Sequence, residues 1–289
     1  MTYTLKNEFG TAVCTDNGGQ LISFVYDDTE YVWNGDARYW QDHALHLFPV
    51  VCSPLNGHVT YDGVEYPMKK HGIVRNAGYR PVELAPDFVT LETRWSDETL
   101  KSFPYKFIFR VTHRLTETGF TTEYAVSADE DMVFNIGGHP AFVCPHPGSG
   151  TFEDYQIRFH NAKGAVMSLT ENGYMDPSIP KLKRIDKDGI LPLKYSDFDR
   201  DAMIVEKLKV KKVDLVSAVN GHGIRFSFDG FDALGIWTPT GKEAPFVCLE
   251  PWCGLPASVD ESGKAEDKKY AVSLKAGDVF RVSYGMSVI

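Results

Sequence analysis

Gln20-Leu21-Ile22-Ser23-Phe24-Val25-Tyr26, followed across Asp27-Asp28-Thr29 by Glu30-Tyr31-Val32-Trp33, decides the fold class. Short runs rich in β-branched and aromatic residues, joined by two or three turn formers, are the signature of a β-hairpin. The pattern recurs at Val59-Thr60-Tyr61 and Val64-Glu65-Tyr66, where the intervening Asp62-Gly63 supplies the positive φ angles of a type I′ turn. It recurs again at Phe107 to Leu115 and Phe120 to Val126, which flank a Thr-Glu-Thr-Gly turn. Ile224 to Phe228, Leu234 to Trp237 and Val279 to Tyr284 are further strand candidates. Only Asp97 to Lys101 and Asp199 to Leu208 have the composition of a helical turn or two. Cys144 to Gly150, Glu171 to Pro180 and Ser258 to Lys269 read as loops, and none has the character of a linker. The expectation is all-β: one large antiparallel β-sandwich spanning 1–289.

A length of 289 residues suits one such domain, since large sandwiches and barrels run to about 200–250 residues or more. The 18 Phe, 14 Tyr and 5 Trp suit pleated surfaces, and also a cleft in which an aromatic face meets the C–H face of a sugar. A net charge of −9 argues against a nucleic-acid partner, which would need Lys/Arg patches. No run approaches the ~20 apolar residues of a membrane span, and the N-terminus lacks a signal-like stretch, so a cytoplasmic location is expected. Cys14, Cys52, Cys144, Cys248 and Cys253 are odd in number and lack CxxC spacing, which reads as reduced thiols.

Three segments combine titratable side chains with unusual backbone residues. In Asn135-Ile136-Gly137-Gly138-His139-Pro140-Ala141-Phe142 a strand is expected to end at the glycines, with Pro140 stiffening the turn that holds His139. The same residues also serve a plain turn with a solvated histidine. In Pro245-Phe246-Val247-Cys248-Leu249-Glu250-Pro251-Trp252 an apolar strand runs into a carboxylate, whose proton affinity burial would raise toward that of a general base. A carboxylate that is merely the first solvated residue after a strand reads the same way. Lys69-Lys70-His71-Gly72-Ile73-Val74-Arg75 offers a His and an Arg four residues apart around a glycine, or simply a charged loop.

Taken in order, these motifs resemble those of the aldose 1-epimerase (galactose mutarotase) family over nearly the whole chain. The likeness is closest to its lactose-operon-associated branch: Leu47-Phe48-Pro49, His71-Gly72 with Arg75, Gly137 to Phe142, Asp201-Ala202, Gly235 to Thr238, and Cys248 to Gly254. The resemblance implies a galactose mutarotase-like supersandwich with His139 as general acid and Glu250 as general base. It further implies that His71 and Arg75 line the cleft, that Asp201 holds a sugar hydroxyl, and that Trp252 contacts the substrate. One departure stands out: Cys52-Ser53 occupies the place where branch members commonly carry Gly-Arg.

The implied reaction interconverts the α and β anomers of a hexose or hexose derivative by general acid–base ring opening and reclosure, with no cofactor. The implied geometry separates His139 from Glu250 by about the width of a sugar ring. A non-catalytic carbohydrate-binding or sugar-sensing protein on the same fold is the alternative, supported by Ser53. A metal enzyme using His71, His139 and Glu250 lacks His-x-His or His-x-x-x-His spacing, so no metal is expected.

Overall fold

The computed structural model describes residues 1–289, the side chain of Leu169 aside. Asp27 and Asp28 both adopt positive φ, 47° and 55°, so the first hairpin closes in the expected tight turn and pairs Leu21–Tyr26 with Thr29–Glu30. The second strand is shorter than the sequence suggests. Glu30 curls back so that its Oε1 accepts from the backbone N–H groups of Phe24 at 2.8 Å and Val32 at 2.9 Å. The carboxylate thereby replaces ladder hydrogen bonds, and the chain leaves the hairpin to bridge Val32 to Phe142 in another sheet.

Every pairing between strands is antiparallel, and the strands form a nine-stranded and a seven-stranded sheet, with a four-stranded sheet at the N-terminus and two small ribbons. Alternation sorts each strand into two faces. Phe107–Leu115 of the nine-stranded sheet sends Phe107, Phe109 and Val111 into the same buried cluster as Val247 and Leu249 of Phe246–Cys253 in the seven-stranded sheet. The core therefore lies between the two large sheets, and the opposite face of the seven-stranded sheet is left for another use.

Among the described residues the helical elements are four single 3-10 turns. Asp97 to Lys101 contributes one, Thr99–Lys101. The helix expected over Asp199 to Leu208 does not form: a 3-10 turn ends at Phe198 and Met203–Glu206 is a buried strand. Met203 and Val205 point into the core while Ile204 packs on the other face, a period of two that overrides helical composition in a ten-residue window. The stretch expected as a loop from Glu171 to Pro180 contains the two-residue strand Tyr174–Met175. All five cysteines are free and buried.

Two core histidines join the layers. His46 and His113 each place Nε2 on the Gly19 carbonyl, at 2.9 and 2.8 Å, so both donate from Nε2 and accept at Nδ1 from the hydroxyls of Tyr124 and Thr122. Burial, with the neighbouring His113, lowers His46 to about 3, and burial lowers His113 to about 4. A histidine depressed in the folded state contributes stability that is present above its unfolded value and lost as pH falls through the window down to the folded value. Between pH 6 and 4.5 each should therefore subtract about 1.4 kcal/mol per pH unit. Urea midpoints at several pH values should show His113→Gln with a shallower acid slope than the parent, and equal slopes would refute the assignment.

Candidate functional site

The free face of the seven-stranded sheet carries His139 and Glu250. Ile136–Val143 runs unbroken through both glycines, so the strand does not end there as the sequence suggests, and Glu250 likewise sits inside Phe246–Cys253 rather than at its end. For the glycines the reason is packing. The glycines are needed for close approach and not for turning: a Cβ on Gly137 would lie 2.6 Å from Trp252, and one on Gly138 would lie 2.8 Å from Tyr284. A Cβ on Gly235, one strand further over, would meet the Trp252 indole at 2.4 Å. Glycines on both flanking strands thus open the slot that holds this fully buried tryptophan.

Gly137 pairs with Trp252 and Ala141 with Cys248, and that register sets His139 opposite Glu250 on the neighbouring strand. The ladder records no pair between those two points, where Pro140 and Pro251 both lack an N–H. His139 Nε2 lies 3.3 Å from Glu250 Oε1. The sequence-based expectation of a ring-width gap is therefore wrong. Residues directly opposite on adjacent strands have Cβ atoms only about 4.5–5.5 Å apart. The short gap is chemically workable, because the ring oxygen and the anomeric oxygen are bonded to the same carbon and sit close together.

Three loops close the site around this pair. Cys52, His71 and Asp201 all adopt positive φ, 58°, 65° and 93°, a conformation uncommon for non-glycine residues. The His71 loop is clamped by its neighbours: Phe48 N–H donates to the His71 carbonyl and Ile73 N–H to the Phe48 carbonyl. His71 Nδ1 accepts the Cys52 backbone N–H at 3.2 Å, so Nε2 carries the proton and is a hydrogen-bond donor. Arg75 is held by Asp42 at 3.1 Å, and Asp201 Oδ1 accepts the Trp237 indole N–H at 2.7 Å. Trp40 stacks on His139 at 4.8 Å, with Trp237 and His71 edge-on, each at 5.4 Å.

The result is a cavity of about 240 Å³ lined by His139, Glu250, His71, Arg75, Asp201 and Trp252, so every site residue expected from sequence converges on one place. That volume lies below the roughly 300–1,000 Å³ of drug-sized sites and suits a monosaccharide. Lys70, Trp40, Trp237, Cys52 and Thr170 also line it and carried no assignment from sequence. Trp237 alternates with Gly235 on the strand beside Glu250, a signal that was legible; Trp40 sits outside any strand and gave none. Ser53 is not among the lining residues. A larger cavity of about 690 Å³ lies beside Phe159 and Gly189, but its one histidine, His160, is already engaged by Asp214 at 3.0 Å.

Burial dominates the electrostatics. It raises Glu250 well above the usual carboxylate range, opposed by the charge of Lys70 and reinforced by Asp201. It lowers His139 well below the usual imidazole range, and Lys70 and Arg75 add to that lowering. Desolvation thus favours the uncharged form of each group, with the proton on Glu250 and His139 neutral. His139 Nδ1 and Glu250 Oε2 are buried without hydrogen-bond partners. Cys248 lies within 4.8 Å of both, and burial keeps its thiol protonated and uncharged.

The family model for aldose 1-epimerases matches residues 1–287. Protein LacX of Lactococcus lactis subsp. lactis, in its plasmid form, is 33% identical over 305 residues, covering 100% of both chains. Among solved structures, a galactose mutarotase related enzyme from Lactobacillus acidophilus superposes with a TM-score of 0.93 at 29% identity, over 100% of this chain and 97% of the other. A galactose mutarotase-like protein from Lactobacillus casei gives 0.92 at 28% identity, with 100% of both chains covered. Matched from end to end in sequence and in fold, the chain belongs to the aldose 1-epimerase family, whose members are sugar isomerases.

Proposed function

We propose that this chain is a mutarotase, carried by one domain spanning 1–289, that interconverts the anomers of a free hexose or hexose derivative. The observation that carries the reading is the buried His139–Glu250 pair, 3.3 Å apart, facing a monosaccharide-sized cavity with one unpartnered atom on each residue. In the forward direction the Glu250 carboxylate takes the proton of the anomeric hydroxyl while the His139 imidazolium gives its proton to the ring oxygen. The C1–ring oxygen bond breaks and the open-chain aldehyde forms. Rotation about C1–C2 presents the other carbonyl face to the returning hydroxyl, and the two residues exchange roles on reclosure.

One proton enters and one leaves, so the pair ends as it began, holding a single proton between two groups. Burial favours the uncharged arrangement of that proton, on Glu250, which is the arrangement ring opening produces, so the charged arrangement that starts the step carries a desolvation cost. His71 Nε2–H, Arg75 and Asp201 supply hydrogen-bonding groups for sugar oxygens, while Trp40 and Trp237 offer apolar faces to ring C–H groups.

Freshly dissolved α-glucose, α-galactose and their 6-phosphates, followed by polarimetry or NMR with and without protein, test the reading. At least one should equilibrate faster with protein present. A flat response across a broad sugar panel, with binding retained, would leave a carbohydrate-binding protein on this fold.

A further inference from the structure

The pocket contains one cation that nothing engages. Lys70 lines the cavity, is solvent-exposed, and among the described residues makes no ion pair or hydrogen bond. It immediately precedes His71, whose backbone N–H donates to the Cys52 carbonyl at 2.9 Å, and Gly72 beyond it packs directly on the Phe48 carbonyl. Lys70 therefore projects from a fixed piece of backbone, so its ammonium is tethered near the acid–base pair although the side chain itself is free.

The other groups facing the pair cannot play the same part. Arg75 spends its charge on Asp42 at 3.1 Å. His71 accepts the Cys52 N–H at Nδ1 and is neutral, since burial lowers it well below the usual imidazole range. Cys52 and Cys248 are buried thiols held protonated. Asp201, bound to the Trp237 indole, brings negative charge, which opposes ionisation of Glu250. Trp40, Trp237, Trp252 and Thr170 bring no charge.

Resting on the mutarotase reading, the geometry points to Lys70 as an electrostatic positioning residue: the unpaired ammonium on the cavity wall that stabilises a carboxylate at Glu250. A base in a dry site needs a compensating cation to ionise. A lysine at the mouth supplies it without forming a contact pair that would block the carboxylate from substrate. Lys70 is also the first-ranking charge acting on both partners, lowering Glu250 and His139 alike. Its removal therefore moves both ionisations in the same direction.

The test compares the parent, Lys70→Met and Lys70→Arg. Both limbs of the kcat/KM pH profile should move to higher pH in Lys70→Met, by about one pH unit for a single nearby charge. Lys70→Arg keeps the charge and should overlay the parent. NMR titration of the His139 ring nitrogens and the Glu250 carboxyl carbon should show the same upward shift in the protein without sugar. Because Lys70 is exposed, thermal melts of the three proteins should coincide. Unmoved titrations in Lys70→Met would overturn the role even if anomer exchange is catalysed. Shifted titrations in a protein with no exchange activity would uphold the electrostatic role and refute the mutarotase reading.

Discussion

Glu250→Gln is expected to lower the turnover of anomer exchange by about 100-fold or more while leaving sugar affinity nearly unchanged. Glutamine keeps the shape of the carboxyl group and its place opposite His139, but it can neither take up nor release the reacting proton. General acid–base catalysis by one positioned group contributes roughly 10²–10⁴-fold, which sets the scale of the loss. The variant should not be less stable than the parent. Burial raises Glu250 well above the usual carboxylate range, so the folded state favours its neutral form, and the stability this group contributes is present at low pH and lost as pH rises toward its folded value. Glutamine remains neutral throughout and removes that loss. A kinetic defect with an unchanged or raised melting temperature, alongside unaltered NMR binding isotherms, would therefore separate chemistry from folding. Retention of more than about a tenth of the parental rate would rule out Glu250 as the base. His139→Asn should act in the same way through loss of the acid.

Gly72→Ala is expected to cost about 4 kcal/mol of stability and to impair sugar binding together with turnover. A Cβ at this position would lie 2.0 Å from the Phe48 carbonyl oxygen and 2.4 Å from its carbon. Those are backbone atoms, so no side-chain rotation relieves the clash. The residue also has φ near +79°, where a β-carbon adds about 1–2 kcal/mol of its own. For a chain of this size the sum corresponds to a fall in melting temperature of about 10 °C. The functional effect follows from what the segment carries: pushing Gly72 off Phe48 moves Lys70, His71 and Arg75, all of which line the cavity. A melting temperature within about 2 °C of the parent would show that the segment is not clamped by this contact.

How far the site could be read in advance differs from residue to residue. His139 and Glu250 lie in segments whose composition marked them, and the resemblance to a family gave them roles; His71, Arg75, Asp201 and Trp252 followed by matching, and all six share one cavity. Lys70 had the same local signal as its neighbour His71, but a lysine in a charged loop reads as solvated, and only its place in the cavity distinguishes it. Trp40 lies in the irregular segment between Glu30 and Ala44, where no periodicity assigns a side chain to a face.

What the sequence by itself determined is the β class, the hairpins and the segments whose titratable residues meet in one cavity. Each rests on local physics: Asp-Asp and Asp-Gly tolerate positive φ, alternation chooses a face, and titratable groups beside stiff backbone are conspicuous. Only the tertiary structure decided that the strands run on through Gly137, Gly138 and Glu250. A glycine that admits a neighbour and a glycine that turns the chain look alike until the neighbour is present, and here the neighbours are Trp252 and Tyr284, more than a hundred residues away. The same holds for the 3.3 Å separation of His139 and Glu250, because strand register is a property of the pair of strands and neither sequence segment contains it. The proton affinities likewise arise from burial beneath Trp40 and Trp237 and from the charge of Lys70, groups brought together only by folding.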